Sequence, residues 1–234
     1  MKNIFRYILI VVILVSVYSC KKDNYSEPGT FLTGALMYKG DSIHVERNQV
    51  PFQIYQYGFG KVGAINGTFA QDGSYSEVLF DGDYKLIIPN GQGPFVFKQT
   101  SSGAPDSLAV SLHGNQTVNL EVTPYYMIRN AAISVSGGTV TATFKAEKII
   151  TDSTMAKNIE RVSLYINKTQ FVSGGDNIAL TNMAGSAITD PNNISLKVAI
   201  PSIVPTQNYI YARVGIKIAN VEDMIFSPLQ RIQY

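Results

Sequence analysis

This 234-residue chain has one cysteine, two histidines and no tryptophan. A single thiol leaves nothing for an intramolecular disulfide, so the apolar core alone must hold the fold. With one cysteine and only His44 and His113, no ligand cluster for zinc is available. Neither histidine stands near a nucleophile elbow, and no phosphate loop or dinucleotide fingerprint occurs. The expectation is a protein with no cofactor, no metal and no catalytic residue. Charge is sparse too, at 15% of residues and +2 overall. That balance lacks the basic footprint of a nucleic-acid binder. No stretch keeps an i, i+3, i+4, i+7 apolar pattern for three turns, so helices are not expected.

One apolar run stands out. Lys2 and Arg6 precede residues 7–18, YILIVVILVSVY, which carry no charge. Twelve helical residues span only about 18 Å, short of a hydrocarbon core of about 30 Å. That length suits the apolar region of a signal peptide better than a spanning anchor. The run closes on Val17-Tyr18-Ser19-Cys20, which resembles a bacterial lipobox. The resemblance implies removal of residues 1–19 and lipid attachment to Cys20, which makes the membrane a partner through that lipid. Residues 20–29, charged and polar with one proline, then form a tether. Without Lys2 and Arg6 the remainder holds 17 basic and 17 acidic residues, which also argues against a polybasic membrane patch.

The body is rich in Thr, Val, Ile and Tyr, with Gly and Pro scattered through it, and reads as all-β. Strands are expected at 31–38, 50–57, 64–69, 75–80, 84–88, 95–98 and 117–122. Val50, Phe52 and Ile54 share a face, and Pro51 suits an edge or a strand start. The Asp72-Gly73 pair marks a turn, and Asp81-Gly82-Asp83 is expected to join two strands. Pro124 is a plausible seam. Beyond it, strands are expected at 125–129, 131–135 and 139–146, then around Val162-Leu164-Ile166, 194–200, 209–220, 224–226 and 229–232. Gly174 to Asn193 reads as a long, weakly patterned loop. Short strands between turn signals in both halves give two β-sandwich domains in tandem, 30–123 and 124–234.

Several motifs in order carry a resemblance. After Cys20-Lys21-Lys22-Asp23-Asn24-Tyr25 come Gln71-Asp72-Gly73-Ser74-Tyr75, Phe80-Asp81-Gly82-Asp83-Tyr84-Lys85-Leu86, the GQGPF stretch from Gly91 to Phe95, and Val122-Thr123-Pro124-Tyr125-Tyr126. Together they resemble a Bacteroidetes surface-lipoprotein family known as domain of unknown function 3823. The first half is similar to carboxypeptidase-regulatory-like, transthyretin-type sandwiches. The second, through Tyr209-Ile210-Tyr211-Ala212-Arg213-Val214, is similar to fibronectin III or immunoglobulin-like domains. The resemblance implies a lipid-anchored outer-membrane protein, exposed at the cell surface, that serves polysaccharide utilisation beside an importer or a glycan-binding lipoprotein. It brings no catalytic residues.

Two sets of candidate residues follow. If Val50, Phe52 and Ile54 face inward, Tyr55, Tyr57 and Phe59 face out. Tyr125 and Tyr126 sit at the seam, and Tyr209, Tyr211 and Arg213 oppose the apolar face of their strand. Tyr offers an apolar ring with a polar tip, suited to stacking on the C–H face of a poly- or oligosaccharide. Capping of the sandwich, filling of the domain contact, or docking of a partner protein are the competing uses. Asp41-Ser42-Ile43, Asp106-Ser107-Leu108 and Asp152-Ser153-Thr154 resemble bacterial O-glycosylation acceptors and make Ser42, Ser107 and Ser153 candidates, all in expected loops. Asp81 and Asp83 could offer carboxylates to Ca²⁺ or simply close a turn.

Overall fold

The computed structural model describes residues 26–58 and 62–234. Cys20, the signal segment and Phe59 lie outside the described residues. The first sandwich contains β1 (Thr30–Tyr38), β2 (Asp41–Ser42), β3 (Pro51–Gln56), β4 (Ala64–Thr68), β5 (Ser74–Leu79), β6 (Gly82–Ile87), β7 (Phe95–Val96), β8 (Leu108–Leu112), β9 (Gln116–Thr117) and β10 (Leu120–Glu121). One sheet is built around β1. Its first half pairs antiparallel with β5 and parallel with β9, and its second half pairs with β10 and β2. The other sheet runs β4-β3-β6-β8, antiparallel throughout.

Alternation puts Phe52 and Ile54 of β3, Tyr84 and Leu86 of β6, and Val110 and Leu112 of β8 against Leu32, Leu36, Tyr75 and Leu79 of the facing sheet. Phe52, Phe69 and Tyr75 form an aromatic knot with centroids 4.9–5.8 Å apart. Two buried phenols find acceptors: Tyr75 donates to the Val118 carbonyl (2.7 Å) and Tyr84 to that of Phe80 (2.7 Å). Gly34 is required where β1 passes Tyr75, since a Cβ there would stand 1.9 Å from the Val118 oxygen.

Some expected connections differ. β5 and β6 are not partners: the Asp81-Gly82 link carries the chain from one sheet to the other. Pro51 is the first residue of a central strand, where its missing N–H costs no ladder bond. β8 lies between the expected elements.

The second sandwich opens at β11 (Thr123–Pro124), which pairs with β7. It continues with β12 (Tyr126–Ser136), β13 (Thr139–Lys148), β14 (Ile159–Asn167), β15 (Ala179–Ala184), the 3-10 turn η1 (Gly185–Ala187), β16 (Ile194–Ala199), β17 (Tyr209–Ile218), β18 (Met224–Phe226) and β19 (Gln230–Gln233). Sheet β12-β13-β16 faces sheet β15-β14-β17, whose outer edge is shared by β18 and β19. Residues 125–135, expected as two strands, form one bent strand from Tyr126 on, with a register shift between Arg129 and Ala132 and Asn130 left-handed at φ 54°. The expected loop before Asn193 contains β15 and η1. Val140, Ala142, Phe144, Leu164, Ile166, Leu196, Ile210, Val214 and Ile216 fill the core. Apart from Ala142, each such side chain contributes about 1.5–3 kcal/mol on full burial.

The two sandwiches are fastened together. Residues 41–47 and the 70–73 turn of the first rest on the outer face of the β14-β17 sheet. Phe226 N–H donates to the His44 carbonyl (3.0 Å) in a β-bridge, and Gln71 Nε2 donates to the Gln170 carbonyl (2.8 Å). Gly93 N–H donates to Asp223 Oδ2 (2.8 Å), and Arg129 joins Asp41 of one sandwich to Glu147 of the other. At the centre is Arg213, 1% exposed, its guanidinium 3.8 Å over the Phe226 ring. Its Nε–H donates to the Val172 carbonyl, and Nη1 donates to those of Val45 (3.1 Å) and Gln71 (3.4 Å).

Candidate functional site

The seven candidate stacking residues among the described residues do not converge. Arg213 is excluded as a ligand contact. Alternation does turn it away from the core of its own sandwich, but the other sandwich covers that face, so the side chain binds carbonyls of the seam. Burial draws its pKa down to about 10, still leaving a cation at neutral pH. Tyr126 is also lost as a contact: it is buried, and its hydroxyl donates to the Lys157 carbonyl (2.9 Å). Tyr125 is half-buried in the seam, with Lys157 Nζ 5.7 Å over its ring and a hollow of about 140 Å³ beside it.

Tyr209 and Tyr211 stand together on the outer face of β17, edge to face at 5.9 Å. The protein already uses both rings. The Arg231 guanidinium lies 4.0 Å over Tyr209, and Tyr211 packs against a small cluster of Tyr165, Val172, Met224 and Phe226. Arg231 is adjacent only because β19 pairs with β17 in the register Tyr211↔Arg231.

Tyr55 and Tyr57 offer the open site. They lie two residues apart on β3 and just past its end, roughly 7 Å along the strand. Their face of the β4-β3-β6-β8 sheet points to solvent. Tyr57 is 50% exposed, the most of the candidate tyrosines, and Lys85 Nζ sits 5.0 Å from its ring. Tyr55 hydroxyl donates to Gln53 Oε1 (2.9 Å), whose Nε2 donates to Asn66 Oδ1 (3.2 Å). In register, Lys85 is opposite Tyr55 and Asp83 is opposite Ser111, whose hydroxyl donates to the Asp83 carboxylate (2.7 Å). Two rings are thus flanked by two amides, a cation and a carboxylate on one sheet face. Gln53 could have been read from the i−2 position of the strand, but Asn66, Lys85 and Asp83 are adjacent only through strand register.

In the Asp81-Gly82-Asp83 link, the Asp81 carboxylate is engaged by two of the protein's own donors, while Asp83 accepts from Ser111 through Oδ1. Asp81 Oδ1 accepts from Thr30 Oγ1 (2.6 Å) and from Gly114 N–H (3.2 Å), which holds its pKa down. Among the described residues no group of three or more His, Cys, Asp or Glu could hold a metal ion. His44 is half-buried at the seam, not on the open surface. His113 is exposed, its Nε2 3.3 Å from Ser111 Oγ. Of the acceptor candidates, Ser153 is exposed in a turn and Ser107 is half-buried in a loop. Ser42 is exposed but belongs to β2, because Met37 pairs with it across a hairpin.

The fold and the open sheet face define a class: a two-domain, all-β protein of packed sandwiches. The chain belongs to the DUF3823 family. Residues 30–123 match the model "Protein of unknown function (DUF3823) N-terminal domain" and residues 126–231 match "Domain of unknown function (DUF3823_C)". A DUF3823 family protein from Parabacteroides merdae is 33% identical, with 89% of this chain and 100% of that chain covered and a TM-score of 0.76. One from Bacteroides ovatus is 28% identical, with 87% and 98% covered and a TM-score of 0.76. A Bacteroides uniformis protein described as a proposed carbohydrate-binding protein shares the fold, with a TM-score of 0.70 at 16% identity over 88% of this chain and 100% of its own. No curated protein matches the chain.

Proposed function

We propose that this protein is a non-catalytic, lipid-anchored lipoprotein of the outer-membrane surface that captures glycan for a neighbouring importer. The observation that carries the binding role is the open face of β3 and β6, where Tyr55 and Tyr57 stand among Gln53, Asn66, Lys85 and Asp83. Rings take the C–H face of a sugar while amides and charged groups reach its hydroxyls. The proposed carbohydrate-binding role of the Bacteroides uniformis protein of the same fold agrees with this reading. Cys20 and the lipobox motif support the anchor and the compartment.

Affinity-gel electrophoresis through a polysaccharide panel, paired with a glycan array, tests it. At least one glycan should retard the protein. Tyr55→Ala/Tyr57→Ala should lose the retardation, and Tyr209→Ala/Tyr211→Ala should keep it. Removing roughly 100 Å² of ring contact corresponds to a loss in affinity of about tenfold to a hundredfold. No retardation of the folded protein by any saccharide, together with co-purification of an importer, would replace glycan capture with a docking role. Turnover of a polysaccharide by the pure protein would overturn the non-catalytic part.

A further inference from the structure

The register of the first sandwich fixes more than the presence of two tyrosines on one face. Across the four strands β4-β3-β6-β8, Ala64 stands opposite Tyr55, Tyr55 opposite Lys85, and Lys85 opposite Ala109. On one side of this row lie Asn66 and Gln53, opposite each other. On the other side Tyr57 N–H donates to the Asp83 carbonyl (3.4 Å), and Asp83 stands opposite Ser111. These side chains share the outer face, because the residues between them in β3, β6 and β8, namely Ile54, Tyr84 and Val110, are buried. The row ends on the edge strands β4 and β8, and at each end stands an exposed alanine. Its two long side chains are tied to neighbours: the Tyr55 hydroxyl to Gln53 Oε1 (2.9 Å), and Lys85 Nζ to the Tyr57 ring at 5.0 Å. Four strands span about 14 Å in this direction, more than one sugar ring.

From this layout we infer, on the glycan reading proposed above, that the tyrosine face takes an internal stretch of an uncharged polysaccharide laid across the strands. A site that reads a terminal unit must close beyond it, to contact the hydroxyl that a continuing chain lacks. Here a chain crossing Tyr55 runs out past Ala64 on one side and Ala109 on the other, and neither side chain is long enough to form a wall. The Tyr55 ring takes the C–H face of one unit. Asn66 and Gln53 on one flank, and Asp83 and Ser111 on the other, exchange hydrogen bonds with hydroxyls. Lys85 and Asp83 are the charged groups of these rows, one of each sign and two residues apart on β6. An anionic chain would gain at Lys85 what it lost at Asp83, so the face favours a neutral one.

Affinity electrophoresis of the full chain through xylan, β-1,4-mannan, β-1,3-glucan and α-1,4-glucan, followed by isothermal titration with the matching hexasaccharides and disaccharides, tests the assignment. At least one polymer and its hexasaccharide should bind, and the disaccharide should bind at least about tenfold more weakly because it cannot cross the face. Shortening the polymer at equal mass multiplies its ends, and binding per unit mass should stay constant. Ala64→Glu/Ala109→Glu raises both ends of the row at exposed positions; it should weaken polymer binding by about tenfold or more and leave the thermal midpoint in place. Four results would each overturn the internal, uncharged stretch while leaving glycan capture standing. They are binding that rises with the number of ends, a disaccharide as tight as the hexasaccharide, a carboxymethylated polymer bound more tightly than its neutral parent, and insensitivity to the glutamate pair. Retention by none of the four polymers would overturn it as well, and the wider panel then decides on capture itself.

Discussion

Replacing Arg213 with Ala should uncouple the two sandwiches. The guanidinium makes charge-assisted bonds to the carbonyls of Val172 and Val45, a longer one to that of Gln71, and stacks on Phe226. Each bond to a charged group contributes about 1.5–3 kcal/mol. A desolvated cation–π contact adds about 2 kcal/mol. Opposing these gains is the desolvation of a buried cation, which costs several kcal/mol. The balance is also imperfect, since Arg213 Nη2 and Gln71 Oε1 are buried with no hydrogen-bond partner among the described residues. Arg213→Ala should therefore lose about 2–4 kcal/mol, a large share of a typical folding free energy of about 5–15 kcal/mol. Arg213→Met keeps the apolar stem and removes the buried charge, but strands the same carbonyls, so its loss should be about half as large. Urea unfolding followed by far-UV circular dichroism and tyrosine fluorescence reads both variants, the latter unobscured because the chain has no tryptophan. The wild type should unfold in one transition, and Arg213→Ala should shift or split it. A single transition within about 0.5 kcal/mol of wild type would refute the view that Arg213 fastens the domains.

Gly34→Ala would place a Cβ 1.9 Å from the Val118 oxygen and 2.7 Å from the Tyr75 ring. Thermal melts should show a loss of about 2 kcal/mol or more, and an unchanged midpoint would mean that β1 can shift away from Val118. Burial first, and then the Arg213 cation, lowers the pKa of His44 below its ordinary 6.5. Because the folded state resists protonation while the unfolded state accepts it, this contribution is fully present above pH 6.5. It is lost as pH falls from 6.5 toward the lowered folded value. Urea midpoints measured across that window should decline, and His44→Asn should flatten the decline; a slope unaltered in His44→Asn would discard the assignment.

Much of the fold was legible because each strand has one face turned to a core. Phe52-Ile54 and Val140 to Ala146 alternate in the sequence as they do in burial, whereas Val162 to Ile166 and Ala212 to Ile216 alternate in the sequence but are buried on both faces. β8, which lies outside the expected strands, carries the same signal in Leu108, Val110 and Leu112. β15 does not: its residues alternate only between half-buried and exposed, as an edge strand permits, so it reads as loop. Long-range pairing was not legible either. The Asp81-Gly82 link looks like a hairpin, but it crosses between sheets, since local turn chemistry does not specify which strand becomes the neighbour.

The candidate site divides along the same line. By itself the sequence determined that Tyr55 and Tyr57 point away from the core, because a period of two leaves no choice once Phe52 and Ile54 face inward. The identical argument for Arg213 led to the wrong environment, since periodicity states which face a side chain takes and not what lies over that face. Only the tertiary structure decided that the β3 face meets solvent while the β17 face meets another domain. Strand register, with a pairing across 34 residues from Gln53 to Ile87 in the sheet and far longer separations at the seam, then chose Lys85 and Asn66 as neighbours of the rings. Local pattern acts through nearest neighbours along the chain; whether a face is covered depends on how whole sheets pack.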